Sequence, residues 1–119
     1  MKKDDKVYLR HVLDAIAQVE DYLKGTTAKK FLQTRLLQDA VVRQLEIIGE
    51  ASRYLSNEFH ERHPEIPWGQ IIGLRNRLIH AYFSINFQTI WEIIEHDLPS
   101  LKQNVERLLE EMEKGDLNE

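Results

Sequence analysis

The stretch Leu74-Arg75-Asn76-Arg77-Leu78-Ile79-His80-Ala81-Tyr82-Phe83 gathers the residue types of this chain best suited to chemistry on a phosphate. A histidine can take up or release a proton near neutral pH. An arginine stays charged and grips phosphate oxygens through two parallel N–H bonds. From Ile66 to Trp91 the only formally charged residues are Arg75 and Arg77. An otherwise uncharged window carrying only positive charge is a candidate anion site. Metal-free RNA cleavage would need a base near the 2′-hydroxyl, a proton for the leaving oxygen and a cation for the charge at phosphorus. Histidine and arginine can supply all three. The bland alternative is a solvated arginine pair with a histidine near a helix C-terminus, where its charge is favoured.

Helical geometry, at about 100° per residue, sorts this segment into faces. Ile71, Leu74, Leu78 and Ala81 form an apolar stripe. Tyr82 follows Arg75 by seven positions and falls within about 20° of the same line. Arg75 is anomalous on that side, because an arginine is rarely buried without a partner. Asn76 and His80 are four apart, so Asn76 is placed to orient the imidazole. Arg75 and His80 lie roughly 140° apart around a straight helix, too far for one helix to aim both at one phosphate. Two copies of the helix meeting across a two-fold axis would bring the parts together.

Four helical segments are predicted to position these residues. The first runs from Asp5 to Lys24, with Val12, Leu13, Ile16, Val19 and Leu23 as its buried stripe. Gly25 terminates it. The second runs from Ala28 to Asn57, with Thr27 as N-cap and Leu37, Val41, Leu45, Ile48 and Leu55 near one face. Gly49 inside it costs roughly 1 kcal/mol against alanine, so it is read as a point of close approach by another helix. A loop from Phe59 to Pro67 contains Pro64 and Pro67, which disfavour helix. The third helix opens at Pro67 or Trp68 and reaches His80 to Phe83. The fourth spans Phe87 to Met112, kinked or divided by Pro99, and residues 113–119 form a frayed acidic tail. Short connections between four amphipathic segments imply a single all-α domain over 1–119, an antiparallel four-helix bundle.

Composition bounds the rest. The chain has 119 residues, 42% hydrophobic and 30% charged, as an ordinary globular domain does. It has no cysteine, which excludes thiolate catalysis, disulfides and cysteine-based zinc sites. The start is charged and no apolar run reaches the ~18 residues of a membrane span, so a cytoplasmic protein is expected. The net charge of −4 is a poor match to a nucleic-acid binder. Residues 106–119 hold six acids and two bases, however, and account for all of it.

Other candidates are weaker. His60 and His63, with Glu61 and Glu65, form a sparse metal-ligand pattern, and no metal is expected there. Trp68 and Trp91 could stack bases, but aromatic residues on amphipathic helices are usually core. Glu46 and Glu50 are expected to pair with Arg53 or the motif arginines.

The run Arg75-x-x-x-x-His80-x-Tyr82 resembles the Arg-x-x-x-x-His-x-Tyr motif of HepT, the toxin family of MntA–HepT toxin–antitoxin pairs in the HEPN superfamily. The resemblance extends to Val42-Arg43-Gln44-Leu45-Glu46-Ile47-Ile48-Gly49-Glu50-Ala51, to Trp68-x-x-Ile71-x-x-Leu74-Arg75-Asn76 and to Asp97-Leu98-Pro99-x-Leu101. It implies a homodimeric HEPN-type helical bundle with both motif copies in one cleft. It implies a metal-independent endoribonuclease without a cofactor, with RNA as substrate. Arg75 and His80 would carry the reaction, with Asn76 and Arg77 supporting them. Tyr82 would accept AMP from an MntA-like nucleotidyltransferase antitoxin. The alternative is a non-catalytic HEPN module that binds a nucleotidyltransferase partner or a nucleotide.

Overall fold

The computed structural model describes residues 3–117, with side chains from 5 to 115. The elements are α1 (Lys3–Tyr22), α2 (Ala28–Gln33), α3 (Arg35–Tyr54), α4 (Asn57–Arg62), α5 (Trp68–His80), α6 (Phe87–Glu92) and α7 (Leu98–Leu117). A 3-10 turn, Tyr82–Ser84, follows α5, and a π turn, Ile93–Asp97, joins α6 to α7. The architecture is the expected all-α HEPN-type bundle. Central α3 packs against α1 on one side and α5 on the other, while α7 lies along α1. Arg10 meets Glu113 and Glu20 meets Lys102, so α1 and α7 run antiparallel. Among the described residues no helix is long and apolar enough to cross a membrane.

The expected stripes form the core. Val12, Ile16 and Val19 of α1 are buried against Val41, Leu45 and Ile48 of α3 in one cluster with Leu101, Val105 and Leu108 of α7. Gly25 adopts φ +74°, and Thr27 caps α2 by accepting from Lys30 N at 3.1 Å.

The long second helix is not continuous. Thr34 is extended, at φ −118° and ψ 99°, and divides α2 from α3. The bend turns Phe31 fully inward against Trp91 and Phe87, with ring centroids 5.3 and 6.2 Å away. At the end of α2 the Gln38 amide donates to Phe31 O and Leu32 O, each at 3.1 Å, and Phe31 O also takes the Thr34 N–H. Burial of one aromatic ring thus helps to override a helical sequence.

The expected loop contains a helix. Ser56 caps α4 by accepting from Phe59 N, and Asp5 of α1 receives both Ser56 N and Ser56 Oγ at 2.9 Å. His60, Phe59 and His63 then surround Trp68, whose indole donates to His63 O at 3.0 Å. His60 Nε2 lies 2.8 Å from Ser52 O, so these histidines serve packing. Trp68 and Trp91 are both buried, which removes base stacking as their role.

Pro99 divides the last segment as expected, through a specific device. Proline lacks an N–H and its ring crowds the carbonyl four residues back. The π turn widens the helix just before it, with Leu98 N–H donating to Ile93 O five residues back. Of the tail expected to fray, residues 113–117 are helical and residues 118–119 lie outside the described residues. Backbone helix continues to Leu117, and Glu113 is tied to Arg10 at 3.2 Å.

Glu65, just before α5, is held to α7 by Arg107 at 3.2 Å. Its carboxyl sits below the usual range, chiefly through its own backbone N–H, then Arg107 and His63. A depressed carboxyl stabilises the fold above its unfolded pKa, and the contribution is lost as pH falls through the folded value. Arg107→Gln should therefore lower the melting temperature slightly at neutral pH. The gap from wild type should close well below the ordinary carboxylate range. The effect is small because both partners are exposed. Thermal melts at the two pH values check it.

Candidate active site on α5

Helix α5 is held almost entirely from one side. Only Trp68 and Leu78 are fully buried along it, and Ile71 and Leu74 are half-buried. Its seat on α3 depends on Gly49. A Cβ built there would collide with Arg75 Cβ and lie 3.0 Å from Arg75 Cγ and 3.2 Å from Ile71 O. The glycine is thus a point of close helix approach, and the helix it admits brings Arg75. Gly49→Ala should force α5 outward, costing about 1–3 kcal/mol. Chemical denaturation should show that loss.

Arg75 is mostly buried, with its side chain 20% exposed. Its Nη2 lies 2.8 Å from Glu50 Oε2, as a charge contact without hydrogen-bond alignment. Its Nη1 donates to Asn76 Oδ1 at 2.9 Å. Its Nε is buried without a hydrogen-bond partner among the described residues. Glu50 also takes Arg53 Nη2 on Oε1 at 3.1 Å, and this raises the Arg53 pKa. One carboxylate between two guanidiniums leaves a net charge of about +1. The expected pairing holds for Glu50, which meets both Arg53 and a motif arginine, whereas Glu46 lies 3.6 Å from Arg43 instead.

The anomalous arginine therefore has its partner, but two expectations about its neighbours fail. Asn76 spends its oxygen on Arg75, not on His80. Tyr82 does not continue the Arg75 line, because α5 ends at His80. Ala81 turns away at φ −133° and ψ 40°, and Tyr82 begins the 3-10 turn. Tyr82 is 71% exposed and Phe83 82%, their rings edge to face at 5.8 Å.

Two grooves flank α5. One, of about 330 Å³, lies among α1, α3 and α5 and is lined by Arg75 with Tyr8, His11, Arg43, Glu46, Glu50, Tyr54 and Ile79. Tyr8 and Tyr54 stack there at 5.5 Å, and Arg53 lies 5.1 Å from the Tyr54 ring centre. The other groove, of about 570 Å³, opens between α5 and α7 and is lined in part by Gly69, Gly73, Leu74, Arg77, Asp97 and Leu101. The two motif arginines thus face different grooves. His80 is exposed, lines neither groove, and makes no hydrogen bond or ion pair among the described residues. The structure brings Arg75 and Asn76 into contact, sets Arg77 in the other groove, and leaves His80 and Tyr82 outside both.

Sequence reasoning missed Tyr8, His11, Arg43 and Tyr54. A signal was present: Arg43, Ile47, Glu50 and Tyr54 recur at spacings of four and three, a second stripe beside the apolar one.

The family described as HepT-like, Ribonuclease HepT-like, matches residues 12–108. A protein named "Probable ribonuclease HepT" from Thermococcus cleftensis is 42% identical over 108 residues, covering 91% of this chain and 98% of that one. MJ1380 of Methanocaldococcus jannaschii, provisionally named an RNase, is 42% identical over 105 residues, 88% of this chain and 96% of its own length. MJ0434 of the same organism, whose name joins gamma-glutamylcyclotransferase to a provisional RNase, is 41% identical over 118 residues. This chain spans about half of it, 53% of its length. No solved structure matches the chain. With its motif helix and the helices that seat it all inside the matched span, the chain belongs to the HepT-like ribonuclease family.

Proposed function

We propose that this chain is a metal-independent endoribonuclease, the cytoplasmic toxin of a toxin–antitoxin pair, working as a homodimer. One observation carries the reading. Arg75 is a seated guanidinium at the floor of a groove, while His80 stands free on another side of the same helix. Five positions set the two roughly 140° apart around a helix, so one copy would not aim both at one phosphate, whereas Arg75 of one copy and His80 of a second would. Exposed Val7, Tyr54 and Ile79 offer apolar surface for such an association, the latter two beside the Arg75 groove.

In this reading His80 takes the proton of an RNA 2′-hydroxyl. The 2′-oxygen attacks phosphorus, and the bond to the 5′-oxygen breaks. A proton returns to that leaving oxygen, giving a 2′,3′-cyclic phosphate and a 5′-hydroxyl end. Arg75 neutralises the charge that builds on the phosphorus oxygens. Asn76 holds Arg75, and Arg77 supplies a further cation for the RNA backbone. Tyr82 is the regulatory residue. Its exposed phenol would attack the α-phosphorus of ATP in a nucleotidyltransferase antitoxin, releasing pyrophosphate and leaving AMP on the oxygen.

A shared site is tested by mixing. Arg75→Ala and His80→Ala are each expected to be inactive. Co-refolded at equal amounts, they should recover about one quarter of wild-type cleavage, because half the dimers carry one intact site of two. No recovery despite proven subunit exchange would place the site in one chain.

A further inference from the structure

Glu50 stands where it would oppose an anion site, and yet it is built against the arginine that would serve one. Three observations bear on why. Gly49, its neighbour, removes the side chain that would hold α5 away, and so fixes where the Arg75 backbone sits. Glu50 Oε2 then meets Arg75 Nη2 at 2.8 Å, while Asn76 Oδ1 takes Nη1 at 2.9 Å. The carboxylate is itself anchored through Oε1 by Arg53, which lies against Tyr54, stacked in turn on Tyr8 of α1. The guanidinium is therefore gripped on two nitrogens by a carboxylate and an amide tied to three helices.

We propose that Glu50 is a positioning residue for the cleavage reaction, holding the Arg75 guanidinium so that the free N–H groups of its two terminal nitrogens face the RNA phosphate. The proposal rests on the reading of Arg75 as the phosphate-binding residue. A long arginine side chain has large rotamer freedom, and a free one would have to be ordered in each catalytic event. A site that holds it beforehand avoids that cost, and small misplacements are expensive in rate. The penalty is electrostatic, since the carboxylate weakens attraction for the RNA backbone. Arg53 on the other oxygen offsets it. Glu50 is thus set to favour rate over affinity, and this separates it from a purely structural ion pair. The contact lacks hydrogen-bond alignment, so it holds the fold together less than an aligned charge pair would.

The test uses the full chain, Glu50→Ala and Glu50→Gln, and a fluorescent oligoribonucleotide. Glu50→Ala should lower kcat about 10- to 100-fold without raising KM. Glu50→Gln keeps an oxygen acceptor and loses the charge. It should recover most of kcat and bind the oligonucleotide more tightly at low salt. Nitrogen-15 relaxation at the Arg75 Nε–H supplies a readout independent of activity: rigid in wild type and Glu50→Gln, mobile in Glu50→Ala. An unchanged kcat in Glu50→Ala, or an Arg75 that stays rigid in it, overturns the proposal. Should Glu50→Ala not fold, a Glu50→Gln variant with fully lost kcat overturns it as well. Arg75→Ala run alongside separates the two readings. If it cleaves like wild type, the catalytic assignment of Arg75 fails, whatever the relaxation of the guanidinium shows.

Discussion

Tyr82→Phe, expressed together with the nucleotidyltransferase antitoxin proposed above, should remain toxic while the wild-type chain is neutralised. The hydroxyl is the only part of the residue removed, and it sits on an exposed turn with no hydrogen bond to the rest of the described protein. Loss of the hydroxyl should therefore leave fold and cleavage untouched, and surface substitutions of this kind usually stay within about 0.5 kcal/mol. AMP on the oxygen adds negative charge and a bulky nucleoside two residues beyond His80. It would repel an RNA backbone and crowd the proton-transfer group. Growth after co-expression reads the effect, and intact mass reads the modification. Wild type should gain the mass of AMP groups and Tyr82→Phe none. Full neutralisation of Tyr82→Phe would remove the modification account, and would point to inhibition by binding.

The second large effect is at Arg75. Arg75→Ala should lower cleavage by about 10²–10³-fold, the usual loss for a donor that stabilises transition-state charge. Arg75→Lys should recover little. An ammonium is a compact point charge and cannot span Glu50, Asn76 and a phosphate from one planar fork. Arg75→Ala also leaves the Glu50 carboxylate against the groove with only Arg53 beside it, which adds repulsion of RNA. Single-turnover rates on one oligoribonucleotide separate the variants. An Arg75→Lys rate near wild type would mean that charge alone suffices there.

Much of this site was legible in the sequence, for physical reasons that can be named. Val12, Ile16 and Val19 recur at helical spacing because a buried stripe must, and they are core. Gly49 in a helix is costly, and the cost is explained by Arg75 packed against it. Arg75 on an apolar side required a partner, and Glu50 is that partner. What the sequence concealed depends on tertiary contact. At Thr34 a local contact, its hydroxyl donating to Lys30 O at 2.6 Å, acts together with the burial of Phe31 against Phe87 and Trp91, and only the second is invisible in sequence. Ser56 caps α4 through a local bond that the sequence does offer, but the Asp5 carboxylate that fixes Ser56 lies 51 positions away and does not show in sequence. The helical projection that aligned Tyr82 with Arg75 assumed a helix through Ala81, and the chain turns there. The separation of Arg75 from His80, by contrast, follows from periodicity alone, and the two residues do occupy different surroundings.

The central claim is RNA cleavage by an Arg75–His80 pair without metal. The most direct measurement is cleavage of an RNA pool by purified chain in excess chelator, after intact mass has shown Tyr82 free of AMP. Wild type should cut and leave 2′,3′-cyclic phosphate ends, while Arg75→Ala and His80→Ala should each fall by at least about 10²-fold. Equal cutting by all three proteins, or none by the unmodified wild type, would contradict the account.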